Sequence, residues 1–326
     1  MKICIYGAGV IGGMLASALV RAGHDVSAIA RGPHLDAIRA KGLTVTNPKE
    51  SFTHKIAASA SPGDFGAQDL VIIATKTPAL EEVAGAIAPL LGPKTMVGFA
   101  VNGIFWFYGD GFQPNGVRLD LSRLDPHGVL HKAIGAERAL GFVCWSGGEI
   151  REPGVIHATR PGGRVAIGPA LASNAAASRK LVEEDLKVTD ITMEAADEVR
   201  VPMWEKYIGV VGNFAICTLT GGTIGQVHGD KGTQDVLLAV QSEADAVARA
   251  HGFNNTGFDI EKSRINPTVS PHKPSMLQDL ERGRRMEIES SYLILQDLAR
   301  QAEIKTPTLD MVVPLLVARA RNAGSY

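Results

Sequence analysis

Hydrophobic residues fall into two different patterns along this chain. In the first half they form short, uninterrupted runs, which are typical of parallel strands buried on both faces. The runs predict strands at Lys2–Tyr6, Asp25–Ala30, Asp69–Thr75 and Thr95–Val101, with two shorter ones, Gly154–Thr159 and Arg164–Ile167, to finish the sheet. The first half is therefore expected to be of α/β type.

In the second half, apolar residues recur at helical spacing instead. The helices expected there are Ala175–Leu186, Val199–Leu219, Thr233–His251, Ser275–Arg282, Arg285–Ala302 and Thr306–Asn322. This change of pattern predicts a domain boundary near residue 172. The predicted fold class is α/β: an N-terminal Rossmann-type doubly wound sheet in residues 1–172, followed by an all-helical domain in residues 173–326 for substrate binding and any dimer contact.

A glycine-rich motif, Gly-Ala-Gly-Val-Ile-Gly, directly follows the first predicted strand and opens a helix. Gly7 allows the tight turn, Gly9 lets the backbone approach a pyrophosphate, and Gly12 lets the helix pack closely on the strand. The amides of Val10 and Ile11, at the positive end of the helix dipole, suit phosphate groups. Strand, motif, helix and second strand in this order predict a dinucleotide-binding site.

The end of the second predicted strand indicates which dinucleotide is preferred. NAD enzymes usually carry Asp or Glu there, whereas this chain has Arg31 and no acidic residue until Asp36. A guanidinium suits the 2′-phosphate of NADP, so NADP is the predicted cofactor; a surface arginine is the alternative. Lys76 follows the strand Asp69–Thr75, at the sheet edge where such folds bind ligands, and is either a cofactor contact or an exposed turn lysine.

Composition and charge narrow the class of protein. Of 326 residues, 45% are hydrophobic and 21% charged, which excludes a disordered chain. The net charge of −1 argues against a nucleic-acid partner. Residues 1–172 hold 16 basic and 13 acidic groups, which hints at an anionic ligand on the first half. Three widely separated cysteines do not form a disulfide framework, so the expected localisation is the reducing cytoplasm.

Two long uncharged runs raise the question of a membrane segment. The first, Ile3–Val20, is better explained by the glycine motif than by an export signal. The second, Tyr207–Val227, contains five glycines and several polar residues, so a buried helix is expected and no membrane association. Lys206 precedes this run as the one cation beside a long apolar surface; it is either a proton donor or a surface lysine. No metal-ligand motif is evident, and no metal is expected.

Several stretches together resemble one protein family. They are the glycine motif, Arg31, Ala74-Thr75-Lys76, Val101-Asn102-Gly103, Met203-Trp204-Glu205-Lys206, and Pro274-Ser275-Met276-Leu277-Gln278-Asp279 followed by Glu287-Ile288. In these stretches the chain resembles the ketopantoate reductase (2-dehydropantoate 2-reductase) family, essentially from end to end. The resemblance implies NADPH-dependent reduction of a 2-oxo acid, 2-dehydropantoate to pantoate, in pantothenate biosynthesis.

The resemblance also implies roles for individual residues. Lys206 would be the general acid for the carbonyl oxygen, and Asn102 would help to position cofactor or substrate near it. Ser275 and Glu287 would bind the substrate, and Arg31 and Lys76 would contact NADPH. A small-molecule 2-oxo acid is thus the expected partner. The sequence leaves the oligomeric state open, with a homodimer as one possibility.

The chain departs from the family pattern after Lys206. Family members that reduce ketopantoate usually carry asparagines four and eight residues later, where this chain has Val210 and Phe214. Asn213 is displaced by one residue, about 100° around a helix, and should not replace the second asparagine. The aromatic segment Phe105–Tyr108 forms either a pocket wall or a buried plug. Two alternatives therefore stay open: an NAD(P)-dependent 2-hydroxyacid dehydrogenase or ketone reductase for a bulkier, more apolar substrate, and a catalytically silent NADP-binding protein.

Overall fold

The computed structural model describes residues 1–187, 190–264 and 270–326. These residues group into two compact units. Unit 1 comprises Met1–Val101 and His127–Val199, and unit 2 comprises Asn102–Pro126 and Arg200–Tyr326.

Unit 1 contains the strands. They are β1 (Lys2–Tyr6), β2 (Asp25–Ile29), β3 (Leu43–Thr46), β4 (Ser51–His54), β5 (Ala57–Ser59), β6 (Gln68–Ile73), β7 (Leu91–Phe99), β8 (Ala139–Trp145), β9 (Gly148–Glu152), β10 (Val155–Ala158), β11 (Arg164–Pro169) and β12 (Thr192–Ala195). The described main sheet has eight strands in the order β12–β11–β8–β7–β6–β1–β2–β5. Neighbours are parallel except β8 and β11. The predicted Rossmann-type sheet is confirmed, with the glycine motif following the central strand β1.

The prediction that Gly154–Thr159 helps to finish this sheet is wrong. Its strand, β10, belongs to a separate sheet of four described strands in the order β4–β3–β10–β9. This small sheet packs against the helix that follows the glycine motif. A Cβ added to Gly13 would lie 2.1 Å from Cδ1 of Ile156 on β10, so the Ile156 side chain packs directly on the backbone of the helix at Gly13.

Unit 1 also contains short helices beside its sheets. They are α1 (Val10–Arg21), α2 (Gly32–Lys41), α3 (Leu80–Ala86), α4 (Val129–Ala133) and α5 (Ala175–Lys180). The units differ from the sequence-derived domains, which divide at residue 172. Residues 173–199 group with unit 1 because β12 pairs with β11 and extends the main sheet. Residues 102–126 group with unit 2 because Tyr108 and Phe112 in that segment pack on aromatic residues of unit 2.

Unit 2 is helical, as predicted. Its helices are α6 (Arg200–Thr220), α7 (Ile224–Gly229), α8 (Lys231–Ala250), α9 (Ser275–Glu281), α10 (Ile294–Gln301) and α11 (Pro307–Asn322), and a π-helical turn at Glu289–Leu293 leads into α10. The long, mostly buried α6 packs against α7, α8, α9 and α11. None of the helices in the described ranges is long and apolar enough to cross a membrane.

Candidate active site

The glycine motif forms a tight loop between β1 and α1. Gly7 has a φ of +104°, which favours glycine, and a Cβ on Gly12 would lie 2.0 Å from the Gly7 carbonyl oxygen. Gly9, the N-cap residue of α1, has no atom within 4 Å of the position of a Cβ, and no side chain caps the helix. The loop therefore leaves room at a helix N-terminus whose first amides, including those of Val10 and Ile11, suit a pyrophosphate.

The segment after β6 lies against this loop. A Cβ on Gly7 would lie 2.9 Å from Cγ2 of Thr75, and the Ala74 amide donates to the Tyr6 carbonyl oxygen at 2.9 Å. Lys76 is the next residue and is half-buried. Lys76 therefore directly follows the residue that contacts the glycine loop. A cation at this position could bind a cofactor phosphate.

Arg31 is the N-cap residue of α2, in an extended conformation, and its side chain makes no capping hydrogen bond. Its guanidinium forms a bidentate ion pair with the carboxylate of Glu82 on α3. The distance from Nη1 to Oε1 is 2.8 Å, and that from Nη2 to Oε2 is 3.1 Å. Both side chains are more than half exposed. Glu82 carries no mark in the sequence, because it lies 51 residues from Arg31 and resembles an ordinary acidic residue in a first helical turn.

His34, on the first turn of α2, joins the glycine loop to the small sheet. Its Nδ1 accepts from the Gly154 amide at 3.0 Å, so Nε2 carries the proton and donates to the Ala8 carbonyl oxygen at 2.7 Å. Ala8 lies between the first two glycines of the motif. A residue that no motif marks thus holds the loop in place.

In unit 2, the structure brings together three residues predicted for the site. Lys206 Nζ on α6 donates to Asn102 Oδ1 at 2.9 Å, and Asn102 Nδ2 donates to Glu287 Oε2 at 3.4 Å. Glu287 is only 4% exposed and lies just before the helical turn that begins at Ile288, so it is not the solvent-exposed dipole partner that a first helical turn usually carries. The three side chains form one hydrogen-bonded chain from a cation to a buried carboxylate.

The backbone around these three hydrogen-bonded side chains is tightly constrained. Gly103 has a φ of +85°, and a Cβ there would lie 2.3 Å from the Ser290 carbonyl oxygen. That oxygen accepts from the Ile104 amide at 2.9 Å. The carbonyl belongs to the π-helical turn, and such turns are frequent at functional sites. Only glycine fits here, and it sets Asn102 beside the segment that carries Glu287.

Two buried tyrosines fasten the same π-helical turn to α6. Tyr207 Oη donates to the Ser291 carbonyl oxygen, and Tyr292 Oη donates to the Val211 carbonyl oxygen at 2.7 Å. Burial raises the pKa of both hydroxyls well above the usual value, so both remain protonated donors. Lys206 and Glu287 are in this way carried by two segments that are bonded to each other.

The aromatic segment is a buried plug of unit 2. Phe105, Trp106, Phe107 and Tyr108 are each no more than 2% exposed. Tyr108 Oη accepts from Trp204 Nε1 at 3.1 Å and donates to His251 Nδ1 at 3.0 Å. The segment thus ties the chain that follows Asn102 to α6, two residues before Lys206.

Ser275, which was predicted to bind substrate, and Asn213, which was not expected to replace the second asparagine, stand apart from these three side chains. Ser275 is the first residue of α9 and half-buried, and within the described residues its side chain makes no hydrogen bond to Lys206, Asn102 or Glu287. Asn213 is turned to a structural partner: its Oδ1 accepts from His228 Nε2 at 2.9 Å, and its Nδ2 donates to the Gly209 carbonyl oxygen at 3.2 Å.

Val210 and Phe214, at the positions where asparagines are usual, are half-buried on α6. They follow Lys206 at helical spacing and give this face of the helix an apolar surface. Among the described residues, no three His, Cys, Asp or Glu side chains are grouped so as to hold a metal ion.

The whole chain is similar to known proteins. Family models match at residues 3–171 (ketopantoate reductase PanE/ApbA) and at 198–320 (ketopantoate reductase PanE/ApbA C terminal). The chain is 37% identical to a 2-dehydropantoate 2-reductase of Mesorhizobium japonicum, over all of both chains. A PanE/ApbA family ketopantoate reductase from Ralstonia eutropha has a TM-score of 0.78 at 26% identity, with 99% of each chain covered. A D-mandelate dehydrogenase with NADH and anilino(oxo)acetate has the same fold, with a TM-score of 0.82 at 19% identity over all of both chains.

Proposed function

The chain belongs to the ketopantoate reductase PanE/ApbA family of oxidoreductases, and we propose that it reduces a 2-oxo acid to a 2-hydroxy acid with NADPH. The leading substrate is 2-dehydropantoate, on which the Mesorhizobium relative is named to act. The observation that carries the proposal is the hydrogen-bonded chain Lys206–Asn102–Glu287 in unit 2.

The dinucleotide would be held at the glycine loop of unit 1. The close approach of Gly12 to Gly7 and the open space at Gly9 support a pyrophosphate beside the α1 amides. The other residues proposed to bind it are Val10, Ile11, Arg31, Lys76 and Asn102. When bound, the nicotinamide supplies the hydride that reduces the carbonyl carbon.

Lys206 would act as the general acid. Its ammonium would donate a proton from Nζ to the substrate carbonyl oxygen, and its charge would stabilise the negative charge that develops there. Asn102 fixes the direction of that ammonium. Because lysine only donates, Oδ1 must face Lys206, which leaves Nδ2 to donate to Glu287, so the amide has one orientation.

Ser275 and Glu287 would bind the polar side of the substrate. A hydroxyl at the first position of α9 can donate to a carboxylate, and the helix N-terminus adds a favourable dipole for an anion. The carboxylate of Glu287 can accept from a substrate hydroxyl. These two roles fit 2-dehydropantoate, which carries both a carboxylate and a hydroxyl.

The rival within the enzyme class is a reductase for a bulkier, more apolar 2-oxo acid. Val210 and Phe214 favour it, because a site built with amide donors at those positions would lose them here. The two versions are separated by the ratio of kcat/KM for 2-dehydropantoate to that for phenylglyoxylate and 3-methyl-2-oxobutanoate.

The direct test mixes the protein with NADPH and this panel of 2-oxo acids and follows the loss of NADPH absorbance. We expect oxidation of NADPH with at least one of them. Tight NADPH binding with no turnover on any member would contradict the proposal and support a catalytically silent binding protein.

We also propose that the protein forms a homodimer and lies in the cytoplasm. A ketopantoate reductase from Staphylococcus aureus is described as dimeric. Met311 and Leu315, one turn apart on α11, are 66% and 60% exposed, an apolar surface of the kind that interfaces cover. Light scattering after gel filtration measures the mass, and a monomer at micromolar concentration would contradict this part.

A further inference from the structure

The ion pair between Arg31 and Glu82 places a carboxylate beside the side chain proposed to bind the cofactor's 2′-phosphate. Both oxygens of Glu82 face the guanidinium, at 2.8 Å and 3.1 Å, and both residues belong to unit 1. Glu82 is carried by the first turn of α3, well away in sequence from the strand β2 that Arg31 follows.

NAD and NADP favour side chains of opposite charge beside the 2′ position of the ribose. The ribose 2′-hydroxyl of NAD donates to a carboxylate, and enzymes that use NAD place an acidic residue at the end of the second strand for this purpose. The 2′-phosphate of NADP binds a guanidinium and is repelled by a carboxylate. In this chain β2 ends without an acidic residue, whereas Glu82 on α3 brings one to the same guanidinium.

We propose that Glu82 is a specificity-determining residue, which weakens binding of the 2′-phosphate and so lets the chain accept NADH as well as NADPH. This inference rests on the proposed function, because it assumes a dinucleotide at the glycine loop. When the 2′-phosphate binds Arg31, Glu82 must give up its two hydrogen bonds and remain nearby as a negative charge. When the 2′-hydroxyl binds, the carboxylate can accept from it while the pair with Arg31 stays.

The exposure of the pair makes this exchange feasible. An ion pair between side chains that are 58% and 61% exposed contributes little to stability, so a phosphate can replace the carboxylate on Arg31 at small cost. The remaining repulsion between Glu82 and a doubly charged phosphate a few ångströms away amounts, in high dielectric, to about a tenfold change in affinity. Glu82 therefore tunes the choice of cofactor more than it stabilises the fold.

The test compares Glu82→Gln with Glu81→Gln, which removes the same charge from the neighbouring exposed position on α3. Calorimetry measures the dissociation constants of adenosine 2′,5′-bisphosphate, 5′-AMP, NADPH and NADH for each protein. We expect E82Q to tighten adenosine 2′,5′-bisphosphate and NADPH about tenfold, with 5′-AMP and NADH unchanged or weaker. E81Q should change every constant by less than about twofold.

The outcomes separate this inference from the proposal on which it rests. Equal effects of E82Q and E81Q, or weaker binding of the 2′-phosphate ligands to E82Q, would overturn the role of Glu82 while NADPH turnover by the unaltered protein stands. An unaltered protein that binds neither dinucleotide would overturn the proposed function instead. Thermal unfolding of both variants should match that of the unaltered protein, since both residues are exposed.

Discussion

Among single residues, His34 shows how the glycine loop is held. Its ring is bonded at both nitrogens, to Ala8 in the loop and to Gly154 in the turn that joins β9 and β10. The turn is fixed in its place, because the Gly154 carbonyl oxygen accepts from the Thr44 amide at 2.9 Å and a Cβ on Gly154 would touch Ala37. Movement of the imidazole would therefore release the carbonyl of Ala8 and loosen the loop.

Two substitutions of His34 separate its two bonds. Gln can present a side-chain amide near the Nε2 position and donate to Ala8, whereas Asn can accept from Gly154 but is too short to reach Ala8. We expect H34N to weaken NADPH about fivefold, the effect of one lost hydrogen bond, and H34Q to stay within about twofold. Fluorescence titration with NADPH checks this, and the role assigned to His34 fails if the two variants weaken NADPH equally.

Sequence alone could identify some of these residues and not others. Lys206, Asn102 and Glu287 were accessible through the family resemblance, because each lies in a stretch that matches the family. Glu82 and His34 carry no such mark. Their importance comes from partners 51 and 26 residues away in the chain, which meet them only when the sheet is assembled.

At the scale of elements, the π-helical turn at Glu289–Leu293 and helix α6 form the frame of the candidate active site. Tyr207 and Tyr292 bond the two elements to each other, and Gly103 brings the chain after Asn102 onto the turn. Because the Ser290 carbonyl oxygen accepts a hydrogen bond from the Ile104 amide, a shift of the turn would displace Asn102 from Lys206.

A glycine substitution tests this frame. Gly103→Ala should destabilise unit 2 by roughly 2–5 kcal/mol, since it adds both an unfavourable positive φ and a clash with the Ser290 carbonyl. Gly116→Ala is the matched control, with a φ of +76° and open space, and should cost only about 1–2 kcal/mol. Urea unfolding gives both values. The frame also requires kcat to fall in G103A and not in G116A; equal kcat in the two variants would contradict it.

The predicted elements agree with the structure where the local pattern is strong. The buried runs at β1, β2, β6 and β7 and the long helix α6 were recognisable from periodicity. The small sheet was not, because its strands are short and half exposed and depend on packing against α1. The π-helical turn was not either, since it is held by one hydrogen bond from α6 and one to α6, which the local sequence does not reveal.

At the scale of the whole molecule, buried histidines link stability to pH. Burial lowers the pKa of His228 and His251, which are 5% and 2% exposed in unit 2. Burial also lowers the pKa of His24 and His54 in unit 1, which are less buried. A histidine with a lowered pKa in the folded state binds its proton more readily when unfolded, so stability rises with pH.

The expected result is a loss of stability on the acid side of neutrality. The contribution of these histidines is complete above their unfolded pKa of about 6.5 and is lost as the pH falls below that value. Urea midpoints should therefore be lower at pH 5.5 than at pH 7.5. His251→Asn, which keeps an acceptor for Tyr108 Oη but does not titrate there, should reduce this difference; an unchanged difference would contradict the role of His251.

The division of the molecule was only partly predictable. The change from strand pattern to helical pattern was visible near residue 172, but the sheet recruits β12 from beyond that point. The sequence did not predict that residues 102–126 belong to unit 2, because an aromatic segment can line a pocket or fill a core. The hydrogen bonds that join Tyr108 to Trp204 and His251 decide between the two.

Lys206 is proposed to donate the proton to the substrate oxygen, and Lys206→Ala removes the group that would donate it. With NADPH and the best 2-oxo acid of the panel, we expect kcat to fall by about a hundredfold or more, the usual contribution of a general acid. The dissociation constant of NADPH should change by less than about twofold. A variant that keeps its kcat would remove Lys206 from the reaction and contradict its role as the general acid.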